Sequence, residues 1–289
     1  MDLANATTLP IIADSHQRLS ARVWRITAAN PSIMTGPGTN TYLLIGQSCV
    51  AMVDPGPTDD AHLAAMLAAI AETSLALTHI LLTHTHRDHS PGTQALVAAT
   101  GARVCGMPPL AEDPSQDRDT VIEEVLVDGY RFQEIGWPLE VIHTPGHVEN
   151  HLCFHCPDEQ WMITGDHIIQ GSTVVIIPPH GRLGDYVRSL NKLLNRGIEY
   201  LLPGHGTVMA NAKAVVAGTV AHRLQRVNKV IAALANHPPA SLADWIPIVY
   251  DDVSPHLHPI ARFSLWAHLL KLAEDGVVTE IDGIWQQVR

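Results

Sequence analysis

The segment Thr83-His84-Thr85-His86-Arg87-Asp88-His89 places three histidines and one aspartate within six residues. Neutral imidazole and carboxylate suit a borderline divalent cation such as zinc, and a hydrolytic site needs positions left open for water and substrate. If His84 and His86 alternate to one side of the chain they can grip one ion, while Asp88 and His89 turn toward a second. Three later stretches offer more ligands: His147 in Thr144-Pro145-Gly146-His147, Asp166 in Thr164-Gly165-Asp166-His167, and His205 in Pro203-Gly204-His205-Gly206. A glycine beside each lets the backbone come close to a crowded centre. Five histidines and two aspartates are enough for two ions, and a chance gathering of loop-capping histidines would need five separate positions to coincide. His62, His79, His222, His237 and His268 stand alone and are expected at the surface or in the core. His151, four residues after His147, is expected either to hydrogen-bond behind the ligands or to fill the core.

The elements that must carry these residues alternate in type. Val23–Ile26, Asn40–Ile45 and Val50–Val53 read as an antiparallel meander, with Gly36-Pro37-Gly38 and Gly46-Gln47 as turns. Asp59–Thr73 has helical spacing, and Thr78–Thr83 is a short β-branched run leading into the histidine cluster. A helix near Thr93–Thr100, a strand at Ala102–Cys105 and a polar loop over Glu112–Thr120 follow. Strands at Leu139–Ile142, Leu152–His155 and Trp161–Ile163, a helix at Tyr186–Asn195 and a strand at Tyr200–Leu202 complete the series. Loops after such strands hold the His and Asp residues, where rigid elements can position mobile side chains. The order predicts an α/β protein, two sheets face to face with helices outside, an αββα sandwich.

From about Ala212 the character is helical: Val215–Asn236, Ser241–Val249 and Pro259–Asp275, then a short hairpin around Val277-Val278 and Ile284-Trp285. The expected division is therefore a hydrolase domain over 1–212 and a small winged-helix-like domain over 213–289. Residues 220–289 carry six Lys/Arg against seven Asp/Glu, whereas a duplex-DNA reader should be basic.

Histidine is abundant, at 18 residues matching all Lys plus Arg, and the formal charge is 18 − 29 = −11. That field repels phosphate backbones and lowers the expectation of a nucleic-acid partner. Met1-Asp2-Leu3-Ala4-Asn5 has an acid where an export signal needs basic residues, and no run is apolar and long enough to span a bilayer, so no membrane role and a cytoplasmic location are expected. Cys49, Cys105, Cys153 and Cys156 are too few and scattered for a disulfide framework. Cys153-Phe154-His155-Cys156 has no second pair to complete a metal site and is expected to be buried, idle thiol.

HxHxDH followed in order by a His, an Asp and a final His resembles the signature of the metallo-β-lactamase superfamily. The resemblance implies that His84, His86 and His147 bind a first metal, Asp88, His89 and His205 a second, and that Asp166 bridges them. Two Zn²⁺ are the implied cofactors, with iron or manganese as alternatives found in some members. It further implies a metal-bridging hydroxide as nucleophile, with Asp88 as the catalytic residue that orients it and passes a proton to the leaving group, and Asp54 in Val53-Asp54-Pro55-Gly56 bracing the ligand loop. Asn30-Pro31-Ser32, Gly38-Thr39-Asn40-Thr41-Tyr42-Leu43, Pro178-Pro179-His180-Gly181 with Tyr186-Val187-Arg188-Ser189-Leu190, His256-Leu257-His258-Pro259 and His268-Leu269-Leu270-Lys271-Leu272 are similar to the β-lactamase-like protein 2 family, a hydrolase domain joined to a winged-helix-like tail. His180 departs from bacterial relatives, which often carry an acid there. The tail is expected to cap the cleft, and Arg182 and Arg188 are the cations that would mark a nucleic-acid groove.

These readings favour hydrolysis of a small ester or thioester, given the acidic surface. Single-strand RNA cleavage is the alternative, carried by an animal relative within the same family. β-Lactam hydrolysis, glyoxalase II activity and a non-enzymatic DNA-binding module rank lower, the second because its glutathione-binding helices are not evident in 212–289.

Overall fold

The structure is a computed structural model that describes residues 2–110 and 113–288. Met1, Arg289 and Glu112, the first residue of the expected polar loop, lie outside the described residues.

After a short helix α1 (Leu3–Ala6), the first sheet contains β1 (His16–Arg18), β2 (Val23–Thr27), β3 (Asn40–Ile45), β4 (Cys49–Val53), β5 (Ala76–Leu81), β6 (Arg103–Gly106) and β7 (Glu124–Val125), neighbours in that order. The meander β1 to β4 is antiparallel, and β4 to β7 is parallel. Helix α2 (Asp60–Thr73) supplies the crossover from β4 to β5 and α3 (Gly92–Thr100) that from β5 to β6, as parallel pairing requires. Asp59 caps α2 by accepting from the His62 N–H, and Ser74 ends it in the left-handed region.

The second sheet contains β8 (Arg131–Phe132), β9 (Leu139–His143), β10 (Leu152–Cys156), β11 (Trp161–Gly165), β12 (Tyr200–Pro203) and β13 (Met209–Ala210), again in sequence order. The strands β2, β4, β10 and β11 are buried on both faces, so none of them alternates apolar residues with exposed polar ones. Tyr42, Leu44, Val53, Val141, Phe154, Trp161 and Leu202 fill the space between the sheets. Trp24, Met52 and Ile80 face α2 and α3 on the outside of the first sheet.

Outside the second sheet lie α4 (Leu183–Leu193) and α5 (Ala212–Asn236). In α4 the buried residues Leu183, Tyr186, Leu190 and Leu193 recur at helical spacing. The tail adds α6 (Leu242–Val249), α7 (His258–Glu274) and a three-stranded sheet of β14 (Ala240–Ser241), β15 (Val278–Ile281) and β16 (Ile284–Gln287). Ser241 and Asp244 form a reciprocal capping box at the start of α6. The core of the tail, including Trp245, Leu265 and Leu269, is continuous with Ile142, Met162 and Leu201 of the second sheet. Strands β1, β7, β8, β13 and β14 were not expected from the sequence. Each has two or three residues, too few for a period to register.

The four cysteines are free, and Cys49 and Cys105 are buried as well as the expected Cys153 and Cys156. Among the described residues no helix is long and apolar enough to cross a membrane.

Candidate metal centre

The clustered residues follow the C-terminal ends of four strands. His84, His86, Asp88 and His89 follow β5, His147 follows β9, Asp166 comes directly after β11, and His205 lies two residues beyond β12. Asp54, next after β4, takes a left-handed backbone with φ 51°, a conformation that aspartate tolerates better than most residues.

Two trios emerge. His84 Nε2 and His147 Nε2 each lie 3.0 Å from His86 Nδ1. In the second, Asp88 Oδ2 is 3.4 Å from His89 Nε2 and 3.3 Å from His205 Nε2. Asp166 stands between them, with Oδ1 3.4 Å from His89 Nε2 and 3.2 Å from His205 Nε2, and Oδ2 3.6 Å from His147 Nε2. Ligands placed about 2.1 Å from a tetrahedral ion are separated from one another by about 3.4 Å, so the spacings fit donors arranged around cations. His89 Nε2 and Asp166 Oδ1 are also buried without a hydrogen-bond partner, an arrangement native proteins avoid unless an ion or water completes it. Each trio could hold a metal ion. Asp54, His84 and His89 also lie close enough to be a third set, but the Asp54 carboxylate is already occupied. It accepts from Thr83 N (2.8 Å), Thr83 Oγ1 (2.6 Å) and His89 Nδ1 (2.9 Å), which leaves His89 Nε2 facing Asp88 and Asp166.

Electrostatics separate the trios. Burial, reinforced by neighbouring histidines, holds His84 well below its usual range, and burial with the charge of His147 brings His86 down to about 3. These imidazoles are neutral and have lone pairs to offer. Burial opposes a proton on His89 and His205 as well, but Asp88 and Asp166 raise the first well above its usual range and Asp166 raises the second to about 9. Both carboxylates are correspondingly held low, the histidine charges overcoming burial. Without a cation, protonated histidines balance the aspartates, and a divalent ion would take over that role.

Residues 34–205 match the family model described as the metallo-beta-lactamase superfamily. The chain belongs to the metallo-β-lactamase superfamily. Residues 241–285 match the beta-lactamase associated winged helix domain, so the winged-helix reading of the tail holds. The chain is 31% identical over 271 residues to the beta-lactamase-like protein 2 homolog of Drosophila melanogaster, covering 90% of each. It is 32% identical over 232 residues to an atrochrysone carboxyl ACP thioesterase of Aspergillus chevalieri, covering 80% of this chain and 71% of the relative. Among solved structures, a beta-lactamase domain protein from Burkholderia ambifaria superposes with a TM-score of 0.82 at 20% identity, covering 98% of this chain and 96% of the other. The protein is a metal-dependent hydrolase with the αββα fold of this superfamily.

Several supports around this metallo-β-lactamase site left no mark in the sequence reading. His147 Nδ1 donates to the Val175 carbonyl at 2.8 Å, and Thr39 Oγ1 donates to Asp88 Oδ2 at 3.3 Å. The loop after Asp113 is tied to the histidine-rich segment by Thr85 Oγ1 to Gln116 (2.6 Å) and Ser90 Oγ to Asp117 (2.8 Å). A backbone carbonyl carries no residue-type signal, and Gln116 and Asp117 lie in a stretch that reads only as polar. His151 stands behind the candidate ligands: its Nδ1 pairs with Thr144 Oγ1 at 2.9 Å, and its Nε2 accepts the Asp166 N–H at 3.1 Å. Gly204 permits the close approach, since a Cβ there would lie 2.8 Å from Asp166 Oδ1 and 2.9 Å from His89 Cε1. His62 and His268 are core residues, as expected.

The site opens into two lobes. One, of about 190 Å³, is lined by His86 and His147 with Pro114, Val148, Ile177 and Pro178, and His180 stands at its wall. The other, of about 170 Å³, reaches Asp88, Asp166 and His205 beneath Ile33, Met34 and Val174. Ile33 is 68% exposed and Ile177 43%, large apolar surfaces left bare at the opening. Arg182 is engaged by Asp185 and Glu274, and Arg188 by Asp185. Among the described residues, those lining either lobe stop at His205. This corrects the expected cap: the tail packs on the outer face of the second sheet, where its apolar helices share a core with α4.

Proposed function

We propose that His84, His86 and His147 hold one divalent cation and Asp88, His89 and His205 a second, with Asp166 a ligand to both, and that the enzyme cleaves small esters or thioesters. The observation that carries this reading is the two trios meeting on Asp166 at the floor of an apolar cleft. Zinc is the expected metal, iron and manganese the alternatives, because borderline ions match an imidazole and carboxylate set. When bound, two such ions would supply a water acidic enough to attack at neutral pH and a pull on the substrate carbonyl.

The chain's own residues do the rest. Asp88 is the catalytic residue in this reading: its side chain keeps 30% exposure toward the second lobe, where it can orient the attacking water and pass a proton to the leaving group. Asp54 and His151 hold His89 and Asp166 in place. Ile33, Met34 and Ile177 exclude water and take the apolar part of the substrate. A cavity of about 150 Å³ accepts a benzene ring, so each lobe suits a group of that size. The leaving group belongs in the lobe beside Asp88 and the acyl group in the lobe beside Pro114 and Val148. The thioesterase name of a relative points the same way. RNA cleavage is less well supported, since Arg182 and Arg188 are engaged by carboxylates and the net charge is −11. We place the domain division at 212/213, one residue into α5. Four unpaired, buried thiols suit the reducing cytoplasm.

The test is zinc-loaded protein assayed against simple thioesters from acetyl to decanoyl, with benzoyl included. Turnover should peak near the ring-sized acyl groups and disappear in His86→Ala. If no thioester or ester is cleaved while single-stranded RNA is cut, the substrate assignment is wrong.

A further inference from the structure

Arg223 of α5 is 3% exposed, yet it lies far along the chain from every residue of the metal centre. Its guanidinium donates to the Val174 carbonyl and rests over the Tyr186 ring, 5.1 Å from the centroid, while its Nε has no hydrogen-bond partner. A buried cation is expensive, and an apolar residue of similar size often serves stability equally well or better. Retaining arginine here calls for a reason beyond packing.

The segment it grips supplies that reason. Val174 and Ile176 are buried in the core shared with the tail, and Val175 and Ile177, with an edge of Val174, line the cleft. Carbonyls alternate along the same stretch: that of Val174 accepts from Arg223, and that of Val175 accepts from His147 Nδ1 at 2.8 Å. One short segment is therefore held from behind by the tail and holds a histidine of the first trio in front. The hydrogen bond at Nδ1 also selects the tautomer of His147, leaving Nε2 free to face His86 and Asp166.

We propose that Arg223 is a positioning residue through which the C-terminal tail sets the orientation of His147, and so the affinity of one of the two cation sites. This rests on His84, His86 and His147 forming a cation site and is independent of the substrate assigned above. It gives the tail a function at the site even though none of its described residues lines the cleft.

The test uses the full chain, stripped of metal and titrated with Zn²⁺ against a competing chelator, with melting temperature recorded on the metal-free protein. His86→Ala identifies which zinc equivalent belongs to the first trio; if both equivalents bind unchanged in that variant, the trio assignment itself is at fault. In Arg223→Met that equivalent should weaken about tenfold, the low end for an indirect support of a ligand, while the other stays within about threefold. Arg223→Lys, which keeps a donor, should recover most of the loss. Arg226→Met is the control, since Arg226 shares α5 but binds Val249 and Asp252 instead; it should lower the melting temperature without changing either zinc equivalent. If Arg223→Met fails to fold, Arg223→Gln, polar but shorter, must show the same one-site weakening. Equal weakening of both equivalents, or a lower melting temperature with both affinities intact, overturns the proposal and makes Arg223 a packing residue.

Discussion

Replacing Asp54 by asparagine changes one atom and should disable one cation site. The carboxylate receives three hydrogens, from Thr83 N and Oγ1 and from His89 Nδ1. An asparagine has one acceptor oxygen, so either orientation of the amide leaves a conflict. With the amide oxygen toward Thr83 N, the NH₂ faces His89 Nδ1, and the imidazole must move its proton to Nε2, the atom that points at Asp88 and Asp166. A protonated Nε2 has no lone pair for a cation. With the amide reversed, the NH₂ meets the Thr83 N–H instead, and a buried donor is stranded at a cost of about 1–3 kcal/mol. Loss of a carboxylate behind a metal-binding histidine typically weakens the metal by about 10- to 100-fold, or about 1.4–2.7 kcal/mol. Chelator-competition titration of Asp54→Asn with Zn²⁺ should therefore show one equivalent weakened by that factor and the other nearly unchanged. Wild-type affinity for both equivalents would refute the role given to Asp54 and the orientation given to His89.

Gly204→Ala should cut kcat/KM by at least about tenfold while circular dichroism stays native, because the new Cβ would crowd Asp166 and His89. Chelation should make stability pH-dependent in a defined direction. His205 is raised to about 9 in the folded metal-free protein, so its contribution is present below about 6.5 and lost as pH rises through 9, about 3 kcal/mol in all; denaturant unfolding at pH 7 and 9.5 measures it, and zinc-loaded protein should lack this loss. His268 has the opposite sign. Burial lowers it to about 4, so the unfolded chain takes up its proton first and stability falls by about 3 kcal/mol between pH 6.5 and 4. In His268→Leu the acid-side loss should be smaller by about that amount.

The reaction class and most of the fold were legible in the residues alone. The candidate ligands are His and Asp, because few other side chains offer a lone pair to a borderline cation, and their order along the chain survives in one dimension. Long strands such as Asn40–Ile45 and helices such as Asp60–Thr73 carry enough residues for a period to show, and Asp54 could be read as a brace from its place in a family motif. Tertiary structure alone decided what stands behind those ligands. The Val175 carbonyl on His147, the Arg223 grip on Val174, and the pairing of Arg182 with Glu274 join residues distant in the chain. Such contacts depend on how layers stack, and a backbone oxygen has no identity in a sequence. The tail's docking on the outer face of the second sheet, rather than across the cleft, was decided in the same way, by which apolar faces met.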